Sequence, residues 1–251
     1  MVSLDEVVNF LDDELKTSSI PDYPGAVNGL QLTNGGQIAR VVAAVDASLS
    51  VIQAAASGGP GLLIVHHGMF WQGVQPLTGA FYQKVKIAID AGLAIYSSHL
   101  PLDIHPRVGN NLLLAQAIGL QDLEPFFEQK GSLLGVRGNW TGTREQLANS
   151  LKTALGGPVH VCPGGGEEIS RVGIITGGAG GEIAKVAATG VDSFITGEGP
   201  HWSYTLAEEL GMNLFYGGHY ATETFGVQSL ASLVGSKFNL DWEFLDFPTG
   251  L

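Results

Sequence analysis

Arg40-Val-Val-Ala-Ala-Val-Asp46, then the small-residue segment Ser48 to Ser57, then Gly61-Leu-Leu-Ile-Val-His-His-Gly68 reads as strand, short helix, strand. Two short apolar runs rich in Val, Ile and Leu suit neighbouring strands of a parallel sheet covered on both faces. The second run ends in His66 and His67, and the carboxyl ends of such strands are where α/β sheets carry ligand sites. Adjacent residues on a straight strand face opposite sides. Both imidazoles therefore reach one cavity only if the chain bends there, which Gly68 permits, or if two ions side by side accept them.

Downstream, the pattern predicts a helix near Phe81 to Ala91, a strand Leu93 to Ser97, the segment His99-Leu-Pro-Leu-Asp103 and a helix from Gly109 to Ile118. Upstream, Ser3 with Glu6 three residues later has the form of a capping box opening a helix over Leu4 to Leu15. A loop, Pro21 to Gly36, follows.

The order then recurs: a strand Arg171 to Thr176, a helix after Gly177-Gly-Ala-Gly-Gly181, a strand Ser193 to Thr196, a helix near Tyr204 to Leu210 and a strand Met212 to Tyr216. Arg40 precedes His66 by 26 residues and Arg171 precedes Gly197 by 26. His99-x3-Asp103 is matched by His219-x3-Glu223. The expectation is one two-lobed α/β unit over 1–251, with pseudo-duplicated halves 1–125 and 126–251 and a site shared between them. Between the repeats lie a strand from Val136, a helix Glu145 to Leu155 capped by Thr143 with Gln146, a strand Val159 to Cys162 and a flexible connection Pro163 to Gly166.

Composition narrows the function. Hydrophobic residues make up 45% of the chain and charged ones 14%, too little charge to cover the surface, so apolar surface is expected to meet another copy. Acidic residues outnumber basic ones 24 to 12, and a net charge of -12 disfavours duplex nucleic acid. The single cysteine, Cys162, excludes an intrachain disulfide and a thiolate zinc cluster and reads as cytoplasmic. The start of the chain mixes acids with apolar residues, unlike a signal peptide, and no run approaches the ~20 apolar residues of a membrane span.

The chemistry lies at the strand exits. His219 and Glu223, four apart, share one face of a helix beginning near Tyr220. Each candidate has an ordinary explanation alone: a core histidine, a solvated Asp103, a threonine cap. Three histidines and two carboxylates at equivalent exits point instead to a metal site, with mixed donors suited to zinc, manganese, iron, nickel or cobalt. His99 is placed to orient a ligand. Glu198 and His201, in Thr196-Gly-Glu-Gly-Pro-His201, stand where the other half has its histidine pair and are candidate catalytic acids or bases. Gly177 to Gly181 lacks the Lys and Ser/Thr of a phosphate loop. Trp71 and Tyr82 suit stacking on a planar base or ordinary packing.

Ile64-Val-His-His-Gly68, Ser98-His-Leu-Pro-Leu-Asp103, Gly109-Asn-Asn111 and Gly218-His-Tyr-Ala-Thr-Glu223, with Asn28-Gly-Leu-Gln31, together resemble the Nif-three-like dinuclear metal-centre family, often labelled GTP cyclohydrolase 1 type 2 homologues. The resemblance covers nearly the whole chain, in a short bacterial form without an inserted domain. It implies intertwined α/β lobes with mixed sheets, a homohexamer, and two divalent transition-metal ions per chain between the lobes. It implies His66, His67, Asp103, His219 and Glu223 as ligands, Glu223 bridging, His67 with Asp103 on one ion and His66 with His219 on the other. Many bacterial relatives have histidine where this chain has Tyr220, a departure that spares the ligand positions.

The label implies hydrolytic opening of a purine nucleotide, but an acidic chain without an Arg or Lys cluster argues against a triphosphate. The expected function is a dinuclear metal-dependent hydrolase of a small molecule, a nucleotide or heterocycle, with Glu198 or His201 moving protons. The alternatives are a non-catalytic metal-binding, metal-delivery or regulatory interaction protein, and an oligomer whose ions bolt the lobes together.

Overall fold

The computed structural model describes all 251 residues. In chain order they form β1 (Val2–Ser3), α1 (Leu4–Leu15), β2 (Gly29–Leu32), β3 (Gln37–Ile38), β4 (Arg40–Asp46), α2 (Leu49–Ala56), β5 (Gly61–His67), α3 (Gly79–Ala91), β6 (Leu93–Ser97), α4 (Leu100–Asp103) and α5 (Asn110–Ala117). There follow β7 (Gln121–Gln129), β8 (Ser132–Thr143), α6 (Arg144–Leu155), β9 (His160–Pro163), β10 (Glu168–Ile174), a 3-10 turn (Ala179–Glu182), α7 (Ile183–Ala187), β11 (Ser193–Thr196) and α8 (Trp202–Glu209). The chain closes with β12 (Asn213–Tyr216), α9 (His219–Thr222), α10 (Thr224–Phe238) and β13 (Asp241–Phe244). Two compact units result: Met1–Leu102 with Gly226–Phe247, and Asp103–Phe225 with Pro248–Leu251.

The first unit holds a five-stranded sheet in the order β13-β4-β5-β6-β2, parallel except for β2, and a small β1-β3 pair. Its central strand explains the long apolar run: Leu62, Leu63, Ile64 and Val65 are all fully buried. Truncating Leu62, Leu63 or Ile64 to alanine would cost about 2–5 kcal/mol. On one face Val42, Leu63, Val65 and Ile95 pack with Ile52 and Ala55 of α2 and Ala88 of α3. Arg40 locks the entrance to the sheet: its Nε donates to Gly58 O at 3.1 Å and its Nη1 meets Glu243 Oε1 at 2.8 Å.

The second unit holds six strands, β7-β8-β10-β11-β12-β9, with a parallel core β10-β11-β12 flanked by antiparallel partners. Ile174, Ile195 and Phe215 from this core pack with Leu147 and Leu151 of α6 and Leu114 of α5. The duplication holds at the level of register. Val41 pairs with Leu62 and Val172 with Ser193, a constant offset of 131 residues (172 − 41 and 193 − 62). In both units an antiparallel strand from upstream in the chain, β2 or β9, adds beside the third parallel strand.

Local ends follow the sequence unevenly. Thr143 and Gln146 make both bonds of a capping box, and Ser48 accepts from Val51 N. Ser3 makes no side-chain cap bond, contrary to expectation. Its pairing with Gln37 in β1 holds it at ψ 128°, whereas the two working caps, Ser48 and Thr143, both stand at ψ 162°. The connection Pro163 to Gly166 is fastened rather than loose: Asn213 donates to Gly166 O at 2.9 Å and accepts from Gly165 N at 3.2 Å. No helix is long and apolar enough to cross a membrane.

Candidate metal centre

In the first unit three imidazoles converge. His66 and His67 end β5, His99 follows β6, and one ring nitrogen from each lies within 4.8 Å of the others. Although the strand runs through His67, the two neighbouring rings lean together, with centroids 4.8 Å apart. Each ring is anchored through Nδ1, 2.9 Å from Ser98 O for His66, from Asp46 Oδ1 for His67 and from Asp22 Oδ1 for His99. A carbonyl or carboxylate oxygen only accepts, so each Nδ1 donates its proton to that oxygen, and Nε2 is the ring nitrogen that can present a lone pair to an ion. Metal-binding histidines are oriented in this way.

The motif Asn28 to Gln31 supports this group. Asn28 donates to Asp22 Oδ2 at 2.7 Å and accepts from the His99 N–H at 2.8 Å, while Asp22 also accepts from Leu100 N at 2.9 Å. Burial pushes the Asp22 carboxyl upward, but its hydrogen bond and ion pair with His99, aided by Asn28 and the Tyr23 N–H, outweigh it and leave Asp22 below the usual carboxylate range. Gln31 accepts from Met69 N at 2.7 Å and donates to Ala26 O and Val27 O, tying the loop after the histidines to the loop before β2.

The second unit reaches a comparable end differently. Where Asp46 and His66 stand in the first unit, the register places Gly177 and Gly197. A Cβ on Gly197 would lie 2.6 Å from His219 Cα, and one on Gly177, at φ +70°, would strike the Glu223 carboxylate. These bare positions let α9 close onto the strand ends. There His219 Nε2 lies 3.2 Å from Glu223 Oε1, and its Nδ1 lies 2.8 Å from Glu198 Oε1. Burial opposes a charged imidazole, yet the hydrogen bond and charge of Glu223, then those of Glu198, raise His219 to about 9. A cation taking that nitrogen must displace a proton.

Asp103, read from sequence between a solvated residue and a ligand, is buried; it accepts from Asn110 Nδ2 at 2.8 Å and from Thr176 Oγ1 at 3.3 Å. Asn111 braces the same turn, donating to Asp103 O and accepting from Thr176 N. His105 accepts from the Arg107 and Val108 N–H groups through Nδ1, a backbone cap. His201 is exposed and lines a cavity of about 350 Å³ with His160, Tyr204 and Tyr216. Tyr220 is buried, and its N–H donates to Leu251 O at 3.0 Å. Cys162 is buried and its thiol is pushed up to about 12 by burial, then by Glu208, in keeping with an inert role.

The structure thus groups His66 and His67 with His99, and His219 and Glu223 with Glu198. The anchors Asp22 and Asp46 escaped the sequence reading, since neither has a fixed spacing to its histidine; only the parallel pairing of Asp46 with His67 signals one of them.

The model of the family Duf34/NIF3 (NGG1p interacting factor 3) matches residues 2–249. The chain belongs to this family. It is 42% identical over 254 residues to a GTP cyclohydrolase 1 type 2 homolog of Deinococcus radiodurans, covering 100% of this chain and 95% of that one. A homolog of the same name from Pyrococcus abyssi is 40% identical, with 98% and 99% covered. Among solved structures, TTHA1606 from Thermus thermophilus superposes with a TM-score of 0.91 at 36% identity, over 100% of both chains. In this Duf34/NIF3 chain imidazoles anchored through Nδ1, with carboxylates beside them, form two groups whose nitrogen and oxygen donors fit divalent transition-metal ions.

Proposed function

We propose that this Duf34/NIF3 protein is a dinuclear metal-dependent hydrolase of a small molecule, with His66, His67, Asp103, His219 and Glu223 holding the ions. The observation that carries the reading is the repeated anchoring of imidazole Nδ1 by an oxygen acceptor at His66, His67, His99 and His219. Two divalent ions, when bound, supply Lewis acidity and lower the pKa of water toward neutrality. Zinc, manganese, iron, nickel and cobalt all suit such nitrogen and oxygen donors.

The chain's own groups set the rest. Asp46 and Glu198 orient His67 and His219, and Asn110 with Thr176 fixes the Asp103 carboxylate. Of the two candidates for proton transfer, Glu198 is bonded to the site, and its half-exposed carboxylate can pass a proton to solvent. The names of the relatives favour a nucleotide or heterocycle as substrate; the sparse charge of the chain favours an oligomer, the family resemblance makes that a homohexamer, and the single cysteine favours the cytoplasm.

Elemental mass spectrometry on untagged protein purified without chelator tests the centre. Two transition-metal ions per chain in the wild type and their loss in Glu223→Ala are expected. A wild type that carries none and takes none up overturns the reading. Loaded protein that turns over no member of a broad ester, amide and cyclic-amidine panel, and exchanges its metal freely, makes it a delivery protein instead.

A further inference from the structure

Beside the three imidazoles of the first unit stand two aromatic side chains that the ligand set does not use. The Trp71 ring lies 4.8 Å from that of His99 and 5.5 Å from that of His67, nearly perpendicular to both at 83° and 78°. Tyr23 lies 6.0 Å from His99 and 6.5 Å from Trp71. Aromatic rings carry a large apolar area that packing would cover, yet Tyr23 is 44% and Trp71 37% exposed, and Val74 farther along the same loop is fully exposed.

The two loops that carry these rings are built to hold them. Gly25 lies so close to Trp71 that a Cβ there would sit 2.7 Å from Trp71 O. Gln31 staples both loops through Met69 N, Ala26 O and Val27 O. Val27, β-branched, sits at φ +43°, a conformation that costs free energy and persists only where its surroundings enforce it. A glycine contact, an amide staple and a strained valine thus converge on the placement of two solvent-facing rings beside the imidazoles.

We propose that Tyr23 and Trp71 form the recognition wall for an aromatic ring of the substrate, so that the hydrolase acts on molecules carrying a flat π system next to the group it cleaves. The inference rests on the metal-dependent reading above. An aromatic face also attracts cations, but ions held at the neighbouring imidazoles would repel a cationic group. An aliphatic group would gain from burial alone and would not need two rings fixed in orientation.

Phenylphosphonate and cyclohexylphosphonate test this, since they offer metals the same non-hydrolysable oxyanion and differ in carrying a flat or a puckered ring. Their affinities for the metal-loaded protein are measured by calorimetry on wild type, Trp71→Leu, Tyr23→Leu and Trp71→Phe. Phenylphosphonate is expected to bind the wild type roughly threefold to tenfold tighter than its saturated partner. That preference should vanish in Trp71→Leu, weaken in Tyr23→Leu and return in Trp71→Phe, with cyclohexylphosphonate little changed throughout. Equal binding of both probes in wild type and variants overturns the wall and leaves the metal centre standing. Failure of both probes to bind metal-loaded wild type, with no response to metal removal, strikes the metal-dependent reading itself. A Trp71→Leu protein that changes its oligomeric mass by light scattering and keeps the preference for the flat ring also overturns the wall, and assigns Trp71 to contact with a second copy.

Discussion

The two units share a strand register to the residue, yet they furnish their strand ends by opposite means. The first places imidazoles on the strand itself and supports His67 with Asp46 from the neighbouring strand. The second leaves those positions as Gly197 and Gly177 and brings in His219 from α9 and Glu223 from the residue that ends it, with Glu198 standing where the first unit has His67. A duplicated backbone therefore keeps its core pairing, while the donors migrate from strand to helix. Glycine at the vacated positions is the condition for that migration, because a side chain there would occupy the space the helix needs.

The largest expected effect follows from that condition. Gly177→Ala meets two penalties: about 1–2 kcal/mol for an L-residue at positive φ, and a Cβ driven into the Glu223 carboxylate. Elemental analysis should show metal lost from Gly177→Ala while its circular dichroism remains α/β. Full metal content in this variant would show that the second unit does not depend on a bare strand end.

Next in size are the anchoring carboxylates. If Asp46 and Glu198 do equivalent work for His67 and His219, Asp46→Ala and Glu198→Ala should each weaken metal binding by ~10–100-fold, read by competition with a chromophoric chelator. A strong effect from one and none from the other would break the equivalence.

A smaller effect distinguishes the units by pH. In metal-stripped protein His219 is raised to about 9 against burial by Glu223 and Glu198. A raised imidazole stabilises the fold fully below its unfolded value of ~6.5, and that contribution disappears as pH climbs through about 9. The Tm of stripped wild type should fall across this window, by an amount on the order of 1–3 kcal/mol in stability, and Glu223→Gln should flatten the slope. An unchanged slope in the variant would remove Glu223 as the source.

What could be read from sequence divides along physical lines. The parallel core was legible because strands buried on both faces must be continuously apolar, as Leu62 to Val65 are. Edge strands carry no such constraint. β7 carries Pro125, a residue that a central strand would exclude, yet an outer strand tolerates it, and Pro125 pairs with Val136. β2 lay inside a segment read as loop, and β13 is a short outer strand with exposed Asp241 and Trp242. At the site the donor residues stood out because histidines and acids at strand exits are chemically conspicuous. Asp22, 77 residues from His99, did not, since the loop that returns it leaves no periodic trace.

The smallest effect separates two helix starts that look alike in sequence. Ser3-x-x-Glu6 and Thr143-x-x-Gln146 have the same form, but only Thr143 is recruited as a cap. Both residues end a strand, and in both helices the first N–H is taken by a carbonyl from outside, Gly36 O for Leu4 and Glu167 O for Arg144. The difference lies in the angle at which each strand delivers its last residue. Thr143 arrives at ψ 162°, so its hydroxyl takes the Gln146 N–H at 3.2 Å and Gln146 returns a bond to the Thr143 N–H at 2.8 Å. Ser3, held against Gln37 in β1, arrives at ψ 128° and its hydroxyl takes no N–H of the first turn. Thr143→Ala should therefore cost about 1 kcal/mol in urea unfolding, and Ser3→Ala only a few tenths at most, within the range of ordinary surface changes. Equal losses would mean that local sequence, rather than the strand that precedes it, decides whether a cap forms.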